Sequence, residues 1–171
     1  MIFDGRWKWE LQKLSWSISV WCRLSVFHDF AKHQLNRAVL YSAIILRKVI
    51  EDEKETGDIA GKMGVALSKR ETVHMVLSAI KFPYIEEGDW TIRGKFGVSN
   101  YGTGETVLLT AKEICNQLIH SYVWSIAHQS SNNRFAGFLV ASDTAKKKFL
   151  YYISFNEWQK ILQLVIAKGA F

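Results

Sequence analysis

The clearest pattern in the chain is a run of apolar positions at three- and four-residue steps between Leu35 and Val49. This spacing places the side chains on one face of an α-helix and therefore predicts a helix over the segment. Tyr41 and Ile44 add a second apolar flank, which indicates that the helix has packing partners on two sides. The charged run at 51–55 is expected to lie in solvent at the end of this helix.

The segment before this helix fits two periods. Residues 14–20 alternate between apolar and polar types, which is typical of a half-buried strand. A helical stripe is also visible, formed by Leu11, Leu14, Ile18 and Trp21. Because apolar residues continue through Leu24 and Phe27 without a turn signal, we predict a helix here.

A third helix and a loop are predicted in the middle of the chain. Ser68 followed by Glu71 matches a capping box, in which each side chain bonds a free backbone N–H of the first turn. The pattern predicts a helix that continues through Ile80 and ends before Pro83. The glycine-rich stretch 84–104 is expected to form a long surface loop.

The broadest apolar stripe in the chain predicts a helix from about Glu105 that reaches Ile126. Thr103 is its expected N-cap, because a hydroxyl can accept a hydrogen bond from the first helical turn. The polar run 130–133 is expected to end it.

The pattern then changes period, which predicts a β-hairpin and a closing helix. Residues 135–141 and 149–153 are short runs of strand-forming types on either side of a basic tip. Ser154 and Glu157 form a second capping box, and the helix that it opens is expected to end before Gly169.

Together these elements predict an α+β protein that is mainly α. The predicted architecture is a bundle of about four helices over residues 6–128, followed by a C-terminal β-hairpin and closing helix over residues 134–169. With 171 residues, the chain is expected to form a single domain over 1–171.

The composition indicates a packed protein with a modest basic charge. Hydrophobic residues make up 49% of the chain and aromatic residues 13%, which favours a substantial core over disorder. The chain has 22 Lys and Arg against 16 Asp and Glu, for a net charge of +6. This excess is compatible with nucleic acid as a partner and also with solubility alone.

The cysteines and the longest apolar run indicate a cytoplasmic protein that is not embedded in a membrane. Cys22 and Cys115 are far apart, and the N-terminus lacks the pattern of a secretory leader, so we expect a cytoplasmic protein with free thiols. The longest apolar run, 38–46, falls well short of the roughly 20 residues that span a bilayer, so no membrane partner is expected.

Candidate chemistry is concentrated on the helix predicted from Glu105. At about 100° per residue, Lys112, Asn116 and His120 lie along one flank, whereas Cys115 falls on the apolar stripe. The His120 imidazole can exchange a proton near neutral pH, and the Asn116 amide can orient it or bind a phosphate oxygen. These two residues are the candidate catalytic pair, and an ordinary polar helix flank is the alternative.

Residues 114–120 resemble the motif helix of HEPN-type helical domains, in which an arginine and a polar residue precede a histidine by a fixed spacing. Asn116 and His120 match the polar and histidine positions, while Cys115 stands at the arginine position. The resemblance covers about residues 35–128. It implies a helical bundle, RNA as the ligand, and a homodimer in which the motifs of two subunits face each other. The whole chain also resembles uncharacterised bacterial proteins of mobile elements.

Other cations are candidates to support this site. A neutral thiol cannot replace a guanidinium, so Arg47 is the candidate substitute, with a salt bridge to Glu51 as the alternative. Lys112 on the motif flank is a further candidate binding residue. The predicted hairpin tip contains three further lysines next to aromatic residues of the strand, a combination that can bind single-stranded nucleic acid. These are Lys146, Lys147 and Lys148. The alternative is an ordinary turn whose lysines lie in solvent.

No metal or cofactor is expected. His28 and His33 are five residues apart, on different faces of a helix, and no second cluster completes a ligand set. The glycines at 102 and 104 lack the lysine of a phosphate-binding loop.

Three functions remain open. The first is a HEPN-like protein that binds RNA or a nucleotide phosphate without efficient catalysis. The second is a metal-independent ribonuclease of a toxin or defence system, with His120 in proton transfer. The third is a structural or protein-interaction module that uses the tryptophan-rich N-terminus. Four of the seven tryptophans are crowded there, at Trp7, Trp9, Trp16 and Trp21.

Overall fold

The computed structural model describes residues 6–24, 29–55, 75–83, 104–129, 132, 134–143 and 149–168. These residues form four helices and a five-stranded antiparallel sheet. The helices are α1 (Arg6–Trp21), α2 (Asp29–Glu55), α3 (Ala111–Ile119) and α4 (Phe155–Lys168). The strands are β1 (Val76–Pro83), β2 (Glu105–Thr110), β3 (Ser121–His128), β4 (Phe135–Ser142) and β5 (Phe149–Ser154).

The strands are arranged in the order β2-β1-β5-β4-β3, and each pairs antiparallel with its neighbours. The short helix α3 connects the two edge strands, β2 and β3. The predicted hairpin is confirmed as the β4–β5 pair, but it lies inside the sheet instead of following a bundle. The prediction of a helical bundle with a C-terminal hairpin is therefore wrong.

The helix predicted to end before Pro83 is a strand, β1. Leu77 and Ala79 are buried in the core on the helix-covered face of the sheet, whereas Phe82 is buried in a smaller cluster on the opposite face. A strand buried on both faces has a continuous apolar run, which periodicity cannot distinguish from a helix. The capping box at Ser68 and residues 84–103 lie outside the described residues.

The long helix predicted from Glu105 is divided into β2, α3 and β3. Thr110 is the N-cap of α3: its hydroxyl accepts from the Glu113 N–H at 3.2 Å, and the Glu113 carboxylate accepts from the Thr110 N–H at 2.7 Å. This unpredicted capping box ends the strand and begins the helix. The predicted N-cap, Thr103, lies outside the described residues. Aromatic and β-branched residues in 121–126 favour the strand that follows.

The helices predicted near the N-terminus are confirmed as α1 and α2, and the closing helix as α4. All four helices contribute to one core cluster on the same face of the sheet. The Ser154 hydroxyl accepts from the Glu157 N–H at 3.2 Å, as the second capping box predicts. The Glu157 carboxylate, however, accepts from the Ser78 N–H of β1 at 3.0 Å and so joins α4 to the sheet.

Candidate functional site

The candidate catalytic residues lie at the C-terminal end of the short helix α3. His120 is the C-cap, and its N–H donates to the Asn116 carbonyl at 3.1 Å. The His120 carbonyl accepts from the Asp143 N–H at 3.2 Å, and the Gln117 side chain accepts from the Ser142 N–H at 2.9 Å. The end of α3 is therefore fixed to the end of β4, with the His120 side chain exposed.

The side-chain oxygen of Asn116 is buried and accepts no hydrogen bond. The His120 imidazole is therefore not hydrogen-bonded to this oxygen. An unpaired amide oxygen suits a hydrogen-bond donor and not a phosphate oxygen, which is itself an acceptor.

Arg47 lies close enough to the motif helix to act on it electrostatically. Burial raises the pKa of the Cys115 thiol to about 12, and the charge of Arg47 acts in the opposite direction. A buried thiol with such a pKa is not a nucleophile at neutral pH. The Arg47 Nε donates to the Glu51 carboxylate at 2.7 Å, so the salt bridge predicted as the alternative role of Arg47 is present. The charge of this cation is consequently balanced within α2.

Of the other candidate binding residues, only Lys112 lies within the described part of the chain. Lys112 is half-buried in the first turn of α3, at the opposite end from His120. The basic tip formed by Lys146, Lys147 and Lys148 lies outside the described residues. In the part of the chain that the structure describes, no group of three or more His, Cys, Asp or Glu side chains can hold a metal ion. None of the described helices is both long enough and apolar enough to cross a membrane.

The N-terminal tryptophans divide into two inward and two outward residues. Trp7 is buried in the core, and Trp21 packs edge-on against Phe30 with ring centroids 5.5 Å apart. Trp9 and Trp16, by contrast, are 57% and 70% exposed. They are separated by two helical turns, about 10 Å along α1, and therefore lie on the same face.

A lysine lies between the two exposed indoles. The Lys13 ammonium is 3.9 Å from the centroid of the Trp9 ring and 3.5 Å from the Glu10 carboxylate. Gln12 is exposed beside it. We call the four residues Trp9, Gln12, Lys13 and Trp16 the tryptophan face of α1.

The opposite face of α1 is held firmly against α4. Ser15 is buried, its hydroxyl donates to the Gln159 side chain, and it accepts from the Gln163 amide at 2.8 Å. The Gln159 amide also donates to the Ser15 carbonyl at 2.6 Å. Leu11 and Ile18 are buried on the same side. These contacts fix the rotation of α1, so that the tryptophan face points into solvent.

Sequence reasoning missed a second exposed apolar region. Tyr41 and Ile44, which were expected to pack, are exposed on α2, and Ile119 and Tyr122 are exposed beside the end of α3. The sequence pattern does not predict this exposure, because apolar residues at helical spacing are ordinarily core residues.

Comparisons with protein-family models, with curated proteins and with solved structures give no match.

Proposed function

We propose that this protein is a protein-interaction module that presents the tryptophan face of α1 to a partner protein. The observation that carries the proposal is the exposure of Trp9 and Trp16 on one face of a helix whose other face is fixed in the core. Contiguous exposed apolar side chains mark interaction sites, and tryptophan is enriched among binding hot spots.

The geometry also indicates the kind of partner. Two anchors seven residues apart on a helix match the spacing with which helices occupy apolar grooves. Because the Lys13 ammonium lies beside the first anchor, a groove with a carboxylate near its centre complements the face. The contacts of Ser15 with Gln159 and Gln163 hold the helix in its binding orientation, which lowers the entropy lost on association.

The proposal is tested by placing a photo-crosslinking amino acid at Gln12, between the two anchors, in the intact protein in cells. A protein partner is expected to be captured at this position and lost when Trp9→Ala and Trp16→Ala are combined. The matched control places the crosslinker at Leu108, which is also exposed but lies on the edge strand β2. Equal capture from both positions, or capture that survives the double substitution, contradicts the proposal.

A second candidate function is RNA or nucleotide binding at Asn116 and His120. The observation that favours it is the exposed His120 side chain at the C-terminal end of α3, and the Arg47 guanidinium of α2 is the candidate cation. Because Glu51 neutralises this guanidinium, Glu51→Gln is expected to strengthen RNA binding at least threefold, whereas His120→Ala weakens it.

Fluorescence anisotropy with labelled single-stranded RNA measures both effects, and Glu10→Gln on α1 is the matched control. The same RNA incubated in EDTA tests for a metal-independent ribonuclease. If the parent protein neither binds nor cleaves RNA, this candidate is excluded while the interaction proposal is unaffected.

A further inference from the structure

The strand β3 forms one edge of the sheet that the described residues build. It is the last strand of the sheet and pairs only with β4 among the described strands. Its sequence, SYVWSIAH, contains neither proline nor an acidic or lysine side chain. Natural edge strands usually carry such residues or β-bulges, which hinder another strand from pairing with the free backbone groups. In β3 the register shifts lie at the two ends, outside residues 123–127. The other edge, β2, does carry a charge at Glu105, which pairs with Lys81 at 2.9 Å.

The pairing of β3 with β4 limits the regular part of this edge to five residues. Register shifts occur between Ser121 and Val123 and between Ala127 and His128. Between them, residues 123–127 pair with β4 without interruption. The regular segment is therefore centred on Ser125, and all of its side chains are uncharged.

An exposed apolar side chain lies at one end of this edge, and α2 packs beside the strand. The Trp124 indole donates to the Asn36 side chain at 2.9 Å, which fixes α2 beside β3. Tyr122, at the register shift between Ser121 and Val123, is 63% exposed. A chain that paired with β3 would therefore also cover apolar surface.

We propose that β3 pairs with β3 of a second copy of this chain, antiparallel and about a two-fold axis through Ser125. A free strand edge specifies an extended backbone as its partner, and a closed two-fold interface requires a surface that complements itself. Residues 123–127 meet this requirement. Trp124 would face the partner copy's Ile126 and Val123 its Ala127, so that an aromatic residue meets a β-branched one and no like charges oppose each other. The two sheets would join into one.

Disulfide trapping tests this arrangement directly. A residue on the axis faces its own copy, at a Cα separation of about 4.5–5.5 Å that a disulfide can bridge. Ser125→Cys is therefore expected to form a covalent dimer under mild oxidation. Leu108→Cys, at the exposed opposite edge, is the matched control and should not form one. The native Cys115 is buried, and Cys22, which is partly exposed, is replaced by serine in both variants.

Sedimentation velocity of the unmodified chain provides the second measurement. The protein is expected to dimerise at about 100 µM, where micromolar contacts are populated. Ser125→Lys should make it monomeric by placing two ammonium groups together on the axis, while Leu108→Lys should leave the dimer intact. Circular dichroism confirms that each variant is folded. A wild-type monomer at this concentration overturns the proposal. Equal crosslinking of the Ser125→Cys and Leu108→Cys variants also overturns it, as does a Ser125→Cys variant that forms a disulfide only with a different protein.

Discussion

The indole N–H of Trp158 in α4 donates a hydrogen bond of 3.0 Å to the hydroxyl of Ser42 in α2, and both residues are completely buried. The Ser42 hydroxyl in turn donates to the Val39 carbonyl at 2.8 Å. This polar link crosses the core that the four helices share. It explains how a serine occupies an otherwise apolar helical stripe without leaving a buried polar group unpaired.

Ser42→Ala is expected to destabilise the protein by about 1–3 kcal/mol, because it leaves the Trp158 N–H buried without an acceptor. Urea unfolding followed by circular dichroism measures the change in the free energy of unfolding. Ser17→Ala, a half-buried position on α1, is the control and should change stability by at most about 0.5 kcal/mol. Equal stability of both variants would show that the Ser42 hydroxyl has no role in the core.

The second prediction concerns Glu157, which joins α4 to β1. Its bonds to Lys160 and to the Ser78 N–H lower the pKa of this carboxyl below the ordinary value of 4.5. The unfolded chain therefore takes up the proton first as the pH falls, so the contribution of Glu157 to stability is complete at neutral pH. It is lost as the pH falls below about 4.5 and through the native pKa.

Glu157→Gln is accordingly expected to lower the free energy of unfolding by about 1 kcal/mol at pH 7, with a smaller difference at pH 3. Chemical unfolding at both pH values measures this. The same change at Glu105, an exposed residue that pairs with Lys81, should have little effect at either pH. A difference for Glu157→Gln that is the same at pH 3 and pH 7 would contradict the account.

The third prediction concerns the two cysteines. Burial raises the pKa of both Cys22 and Cys115 to about 12, so only about one thiol in ten thousand is ionised at pH 8. We expect the native protein to react with a disulfide reagent far more slowly than the unfolded protein, in which both thiols react. Absorbance of the released thiolate, with and without denaturant, measures the rates. Rapid reaction of a native thiol would show that its surroundings are not as the structure places them.

Three of the helices could be predicted from the sequence, because their apolar positions recur at three- and four-residue steps. In α1 and α2 the stripe is continuous, and α4 begins at the serine that the second capping box identified. The strand β1 could not be predicted, because both of its faces are buried and it therefore lacks the alternation of apolar and polar residues that marks a strand. The sequence predicts one helix from Glu105 because the apolar residues of β2, α3 and β3 follow helical spacing. The signal that separates the strand from the helix is the Thr110–Glu113 capping box.

The candidate site was predictable only in part. The spacing correctly placed Cys115 in the core, since its neighbours on the stripe, Ile114 and Leu118, are buried too. Pairing of Arg47 with Glu51 also followed from their i,i+4 spacing. The end of α3 at Ile119 was not predictable from periodicity, because strand β3 begins within the same apolar run. The rotation of α1 about its axis determines which of the N-terminal tryptophans are exposed. Contacts with α4 fix this rotation, and the sequence pattern does not show them.

The most direct test of the interaction proposal is the affinity of the purified chain for the protein captured at Gln12, measured by isothermal titration calorimetry. Combining Trp9→Ala and Trp16→Ala is expected to weaken binding at least a hundredfold, because each lost anchor costs about 2 kcal/mol. Lys13→Glu should weaken it further and reduce its dependence on salt, while Leu108→Ala should leave it unchanged. Unchanged affinity of the folded double variant would contradict the assignment of the tryptophan face as the binding surface.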